Sequence, residues 1–238
     1  MPAAKGTLFL IPTNLSEPID PERILPAAHL AIVRRLDVFI AENAKSARAF
    51  LNAVDIGRPV STVRITELTH RTRAQETGAL LSPALQGQDV GLMSEAGAPG
   101  VADPGALLVD AAHREGIRVV PLVGPSSILL ALMAAGLNGQ NFAFHGYLPA
   151  DGAGRVRAIA DLERDSRKFR RTQLFIETPY RNQVLFEDLL KTLSASTVVC
   201  VAVDLTGSTE HILRATVGEL RRTRPSLPKT PAMFLFQA

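Results

Sequence analysis

Short runs that are apolar at nearly every position, not at every second one, alternate along this chain with segments of helical period. Residues 7–11, 37–41, 90–93 and 117–123 are such runs. A strand that is apolar on both sides has both faces covered, as in a mostly parallel sheet with helices above and below it. Between these runs, residues 21–35 carry Ile24, Leu25, Ala28, Ala31 and Ile32 at helical spacing, with Asp20 as N-cap and Pro21 at the first position. Residues 46–54, 72–85, 105–114 and 125–135 read as further helices, and residues 60–65 are rich in β-formers. Residues 1–137 are therefore expected to form one layered α/β domain. Leu137-Asn-Gly-Gln-Asn141 is a polar, turn-rich break. A second series follows, with strands at 142–148, 173–177, 197–205, 210–216 and 232–236 and helices at 155–168, 183–193 and 217–222. Some of these connections are too short for a helical crossover, so residues 138–238 are expected to form a second α/β domain with an antiparallel or mixed sheet.

The chain has 238 residues, 46% of them hydrophobic and 21% charged, the balance of a protein that buries a core. Its longest apolar stretch, residues 128–135, stops at Gly136, well short of the roughly 20 residues a membrane helix needs. The start, Met1-Pro-Ala-Ala-Lys5, lacks the features of a secretory leader. The single cysteine, Cys200, closes no intramolecular disulfide and no cysteine-rich zinc site, and its setting in Val198-Val-Cys-Val-Ala202 suits a small buried apolar residue. A cytoplasmic protein without membrane contact is expected. The net charge of +3 is clustered. Arg164, Arg167, Lys168, Arg170 and Arg171 fall together, with Arg155 and Arg157 before them, and Arg221, Arg222 and Arg224 form a second group. A solvated helix face with its following turn and a contact with nucleic-acid phosphate both fit this pattern. Two tyrosines and no tryptophan leave little stacking surface for nucleobases.

Three stretches carry chemistry. In residues 90–105 a buried strand ends, a loop with three glycines and two prolines follows, and a helix begins. Ligands of open parallel sheets sit at the carboxyl ends of strands, glycines allow close backbone approach, and prolines lower the ordering cost of binding. The loop lacks the Gly-Lys-Ser/Thr ending of a P-loop and the glycine spacing of a dinucleotide fingerprint. From its pattern it is either a ligand loop of open type or a tight connection. In Pro121-Leu-Val-Gly-Pro-Ser-Ser127 a strand turns into a helix whose start offers hydroxyls and N–H groups, a site or a plain cap. In Phe175-Ile-Glu-Thr-Pro-Tyr-Arg181, Glu177 ends an apolar strand and needs a partner, for which Arg181 is the local candidate.

Ser94-Glu-Ala-Gly-Ala-Pro-Gly-Val-Ala-Asp-Pro-Gly105 resembles the Ser-Asp-Ala-Gly-x-Pro-x-x-x-Asp-Pro-Gly signature of the tetrapyrrole methylase superfamily. Within it, the chain is similar to the branch of the 16S rRNA (cytidine 2′-O-ribose) methyltransferases. Gly124-Pro-Ser-Ser127, Phe144-His-Gly-Tyr-Leu-Pro149, Ile176-Glu-Thr-Pro-Tyr-Arg181, Asp204-Leu-Thr206 and residues 8–13 resemble further motifs of that branch, in order along nearly the whole chain. The resemblance implies two α/β domains, the first with a mostly parallel sheet covered on both faces and the second with a mixed sheet. It also implies S-adenosylmethionine in a cleft between them, a homodimer and no metal. Carried over residue by residue, it implies a cofactor loop of Ser94, Glu95, Ala96, Gly97, Pro99 and Val101, with Ser126, Ser127, Thr178 and Ala232 completing the site. Methyl transfer from a sulfonium depends mainly on alignment, worth roughly 7–11 kcal/mol at best. A ribose hydroxyl also needs help losing its proton. Glu17, Glu42, His70 and Glu177 are candidates for that task, and Glu42, ending its strand on the ligand side, is favoured.

Departures gather on the substrate side. The branch's Pro-Thr-Pro-Ile-Gly-Asn is Pro12-Thr-Asn-Leu-Ser-Glu17, its Ala-Glu-Asp-Thr-Arg is Ala41-Glu-Asn-Ala-Lys45, and its basic run after Leu-Pro is Ala150-Asp-Gly-Ala-Gly154. The chain also ends at Ala238, short of the branch's extra C-terminal segment. Ribosomal RNA, or the small ribosomal subunit, is the expected acceptor. A tetrapyrrole-like small molecule and a non-catalytic S-adenosylmethionine-binding module are the alternatives.

Overall fold

The computed structural model describes residues 4–69 and 71–238, and the candidate His70 lies outside them. The chain folds as two compact units, divided between Ser126 and Ser127.

The first unit runs β1 (Thr7–Ile11), α1 (Pro21–Ile24), α2 (Ala27–Arg35), β2 (Val38–Ala41), α3 (Ala44–Val54), β3 (Arg64–Glu67), α4 (Ala74–Leu80), α5 (Ser82–Leu85), β4 (Val90–Met93), α6 (Gly105–Arg114) and β5 (Arg118–Pro121). Its strands form one sheet in the order β3-β2-β4-β1-β5, with every pairing parallel. The apolar character of the inner strands β1, β2 and β4 follows from this arrangement, while the edge strands β3 and β5 carry exposed polar residues. Phe9, Ile11 and Phe39 pack into one cluster with Leu30, Phe50 and Leu51, while Leu8, Val38 and Ile40 pack on the other side with Leu81, Leu108 and Ala112.

Two of the expected helices are broken, each by a proline. Residues 21–35 are two helices because Pro26 lacks an N–H and pushes Leu25 out of the helical region, to φ −118 and ψ 137. Residues 72–85 divide at Leu81, and Pro83 opens the short α5. Residues 60–65 yield a 3₁₀ turn, Val60–Thr62, before β3 begins at Arg64.

The second unit holds α7 (Ser127–Ala135), β6 (Phe142–Tyr147), α8 (Gly152–Phe169), β7 (Thr172–Glu177), α9 (Asn182–Thr192), β8 (Val198–Val203), β9 (His211–Thr216), α10 (Val217–Thr223) and β10 (Ala232–Gln237). The strand order is β6-β7-β10-β8-β9, with β6 and β7 parallel and the other pairs antiparallel. Ile159, Phe175, Phe186, Phe234 and Phe236 centre its core, and the Phe175 and Phe234 rings stack with centroids 6.0 Å apart. Cys200 is buried in β8, where burial pushes its thiol up to about 11, against the opposing charge of Arg214.

The division precedes the 137/138 boundary read from the sequence because α7 belongs to the second unit. It buries Ala131, Leu132 and Ala135 and packs against β8 and β10. Arg214 of β9 also donates from Nε to the Ala135 carbonyl at 2.8 Å, satisfying an end carbonyl of α7. Among the described residues, no helix is long and apolar enough to cross a membrane.

Candidate functional site

The strand order of the first unit places its candidate crevice. From β1 the chain moves toward β2 on one side, whereas from β4 it crosses over β1 to β5 on the other. The carboxyl ends of neighbouring β1 and β4 are thus a topological switch point, where the outgoing connections part and leave room for a ligand. The glycine- and proline-rich loop begins there.

The loop is built to hold its shape. Gly97 pairs with Thr13, just past β1, through Thr13 N to Gly97 O at 3.0 Å and Gly97 N to Thr13 O at 3.3 Å. The buried Ser94 donates from Oγ to Gly97 O at 2.8 Å. Asp103 caps the far arm, its Oδ1 accepting from Gly100 N at 2.8 Å and Gly105 N at 2.7 Å. Gly97 and Gly100 have φ of +76 and +84, the left-handed region where a side chain is strained. A Cβ at Gly97 would lie 2.9 Å from Leu15 Cδ2 and 3.6 Å from the Pro125 carbonyl, so this glycine faces protein. Ser94, Gly97 and Pro99 are buried, while Glu95, Ala96 and Val101 line the loop's outer side, Val101 at 50% exposure.

Glu42 lies where β2 ends and is tied to the loop at both its backbone and its side chain. Its N–H donates to Met93 O at 3.1 Å, and its Oε2 accepts from Glu95 N at 3.1 Å. Glu17 is exposed in the segment after β1. Glu177 is spoken for: Oε1 accepts from Thr178 N at 2.7 Å, and Oε2 accepts from Arg181 Nη2. That bond holds the Arg181 guanidinium above its ordinary arginine value. Arg181 is thus the partner its position suggested, and Glu177 serves to fix it.

A cavity of about 550 Å³ opens under the far arm of the loop, over the carboxyl ends of β1 and β5. Leu10, Pro12, Pro99, Val101, Val109 and Leu122 supply apolar walls, and Asp110 and His113 of α6 supply its polar side. The turn after β5 is equally tight, since a Cβ at Gly124 would meet Pro12 Cβ at 2.5 Å and Leu25 Cδ2 at 2.9 Å. Ser126 follows that turn, and Ser127 opens α7 in the second unit. Thr178, exposed, follows β7, and Ala232, buried, begins β10, where it pairs with Glu177. Near them, three buried side-chain atoms have no hydrogen-bond partner: Arg181 Nε, Asn182 Oδ1 and Thr230 Oγ1.

Sequence reasoning passed over Thr13, Asp103 and Asn182 as site elements. Asp103 had a readable signal, an Asp three residues after a glycine and immediately before Pro-Gly. Thr13 lies in a motif the sequence showed after β1, but its pairing with Gly97 arises only when β1 and β4 lie side by side. Among the described residues, no group of three His, Cys, Asp or Glu side chains could hold a metal ion.

A parallel unit with a stiff loop at its switch point is followed in one chain by a mixed five-stranded unit, a two-unit α/β architecture. Residues 18–221 match the Tetrapyrrole (Corrin/Porphyrin) Methylases, and the chain belongs to that family. The chain is 33% identical over 217 residues to "Ribosomal RNA small subunit methyltransferase I" of Escherichia coli O157:H7, covering 91% of this chain and 71% of that protein. Its match to the protein of the same description from Mycobacterium bovis is 34% over 220 residues, covering 91% and 72%. The fold is shared with the crystal structure of the methyltransferase CobJ at a TM-score of 0.63 and 16% identity, over 98% of this chain and 95% of that one.

Proposed function

We propose that this chain transfers a methyl group from S-adenosylmethionine to a ribose 2′-hydroxyl of small-subunit ribosomal RNA. The observation that carries the reading is the fixed loop from Ser94 to Val101 at the switch point of β1 and β4. The residues fit the donor in two respects. The small, exposed side chain of Ala96 lets a ligand lie close against the loop's outer side. The unpartnered Asn182 Oδ1 and Thr230 Oγ1, beside Thr178 and Ala232, offer acceptors that the polar edge of an adenine can use. When bound, the donor supplies an electrophilic methyl on a sulfonium sulfur.

In this reading Glu95, Ala96 and Val101 present the loop's outer side to the donor, and Ser94, Gly97 and Pro99 hold that surface in place. Ser126 adds a hydroxyl from the turn after β5. Ser127, Thr178 and Ala232 of the second unit are assigned to the donor by family resemblance, each to be tested by its own substitution. Glu42 is the proposed acceptor of the ribose proton, because its carboxylate stands at the loop's first residues. The relatives named as ribosomal RNA methyltransferases support the acceptor class. A homodimeric, cytoplasmic enzyme without a metal belongs to the same proposal. The cavity beside Pro99 and Val101 favours a second reading, since its apolar walls would take the ring of a small-molecule acceptor.

Titration calorimetry with S-adenosylmethionine and its demethylated product tests the core of this reading, and a flat trace for both would overturn it. Gly97 faces Leu15, so the variant that blocks the approach without disturbing the turn is Ala96→Trp on the exposed side; it is expected to abolish binding. Small ribosomal subunits from cells lacking this gene are expected to accept labelled methyl from the purified protein. Incorporation into a small-molecule fraction instead would establish the second reading.

A further inference from the structure

The chain has ten phenylalanines and two tyrosines, and four of these rings are exposed: Phe142 at 40%, Tyr147 at 60%, Phe169 at 45% and Tyr180 at 81%. All four lie in the second unit and gather at the two ends of one ladder. Phe142 and Tyr147 are the first and last residues of β6, the edge strand of the sheet. In a regular strand an odd separation would put them on opposite faces. The register with β7 slips by one residue between Phe144 and Tyr147, where Gly146 has φ +64. The bulge brings Tyr147 back to the side of Phe142, their partners being Ile176 and Thr172. Phe169 ends α8 just before β7, and its carbonyl accepts from Asn141 Nδ2 at 2.7 Å, next to Phe142. Tyr180 follows the other end of β7.

Each pair of rings comes with cations. Lys168 Nζ and Arg171 Cζ lie 5.0 and 4.7 Å from the Phe169 centroid, and Lys229 Nζ lies 6.0 Å from that of Tyr180. Arg181 stands beside Tyr180, steered by the buried Glu177. Residues 155–171 carry seven cations against three carboxylates. Asp161 pairs with Arg164, Glu163 with Arg167 and Asp165 with Arg171, and Arg155 pairs with Asp188 of α9, with Lys168 and Arg170 among those left outside these pairs. The helix dipole accounts for Arg167 and Lys168 in the last turn of α8. It does not account for Arg170 beyond the helix, nor for rings left in water.

We propose that the β6–β7 edge is a track for single-stranded RNA, with bases stacked on the four rings and phosphates met by Lys168, Arg170 and Lys229. The proposal rests on the ribosomal RNA reading above and says which surface takes the acceptor strand. Base stacking on aromatic rings with flanking cations is how single strands are held without a sequence code. A six-residue strand spans about 20 Å, room for a few nucleotides. The track also restores a basic surface to a chain whose residues after Leu148-Pro149 are Ala150-Asp-Gly-Ala-Gly154.

The test measures anisotropy of a fluorescein-labelled, unstructured oligoribonucleotide across a salt series, for the wild type and for Phe142→Ala/Phe169→Ala, Tyr147→Ala/Tyr180→Ala and Lys168→Glu/Arg170→Glu. Each pair is expected to weaken binding about tenfold, and the charge pair is also expected to flatten the salt dependence. Melting temperature and S-adenosylmethionine affinity are expected to be unchanged, since all these side chains are exposed. Wild type that methylates small subunits, with variants that keep RNA affinity and KM, would overturn the track and leave the function standing. Wild type that binds S-adenosylmethionine yet neither binds nor methylates RNA, or that binds anionic vesicles in its place, would overturn both.

Discussion

Glu42 and Gly124 make the sharpest tests of the site because each is held by a named neighbour. Glu42 has two tasks in this structure: it accepts the Glu95 N–H, and it is proposed to take a proton. Glu42→Gln keeps a hydrogen-bond acceptor and loses the base. The expected result is a fall in kcat of about 10²–10⁴ with little change in S-adenosylmethionine affinity. An equal loss of affinity in calorimetry would mean that Glu42 only holds the loop. At Gly124 the obstacle is a proline ring that cannot rotate away. Gly124→Ala is expected to cost about 1–3 kcal/mol in chemical denaturation, by prying the β5 turn from the segment after β1. Gly97→Ala meets a flexible Leu15 side chain, but its φ of +76 adds strain of about 1–2 kcal/mol. The motif glycines were legible from their spacing; which neighbour each one makes room for was not, because Pro12 and Leu15 approach from the segment after β1.

Among the elements, α8 shows how a helix with little apolar character is anchored. Its inner face buries Ile159, and its polar contacts do much of the rest. Arg155 pairs with Asp188 of α9 at 2.7 Å. Glu163 accepts from Ser194 N at 2.8 Å and from the Thr197 hydroxyl, fastening α8 to the turn between α9 and β8. Burial pushes the Glu163 carboxyl up, but the bonds from Thr197, Ser194 and Arg167 outweigh it and hold the group below its ordinary value of 4.5. A depressed folded value means stability that is present above about pH 4.5 and lost as the pH falls below it. Glu163→Gln is expected to cost about 1–3 kcal/mol near neutrality, with the gap to wild type closing in acid; urea melts from pH 7 to pH 3 check this, and a gap independent of pH would refute it. The periodicity of α8 was readable from the sequence, whereas the breaks at Leu25 and Leu81 were missed because apolar spacing continues across them while Pro26 and Pro83 lack the backbone N–H that one continuous helix needs.

For the whole molecule, ligand binding and stability are linked. If the native chain alone binds S-adenosylmethionine, donor at 100 times its Kd adds about 2.7 kcal/mol. In a chain of this length that is a rise in Tm of roughly 5–10 °C, expected for wild type and absent for Ala96→Trp in a thermal shift assay. The amino-acid order alone conveyed the two α/β units, the parallel character of the first sheet, the glycine- and proline-rich loop and the family, because buried strands, glycine turns and ordered motifs are local patterns. It did not convey that α7 joins the second unit, since its apolar surface suits either sheet and only packing on β8 and β10, with Arg214 at its end, settles the choice. Nor did it reveal the switch point bridged by Thr13 and Gly97, or the bulge that sets Phe142 and Tyr147 on one side of an edge strand. Those depend on which strands become neighbours and in what register, a matter of long-range pairing that no single stretch of chain encodes.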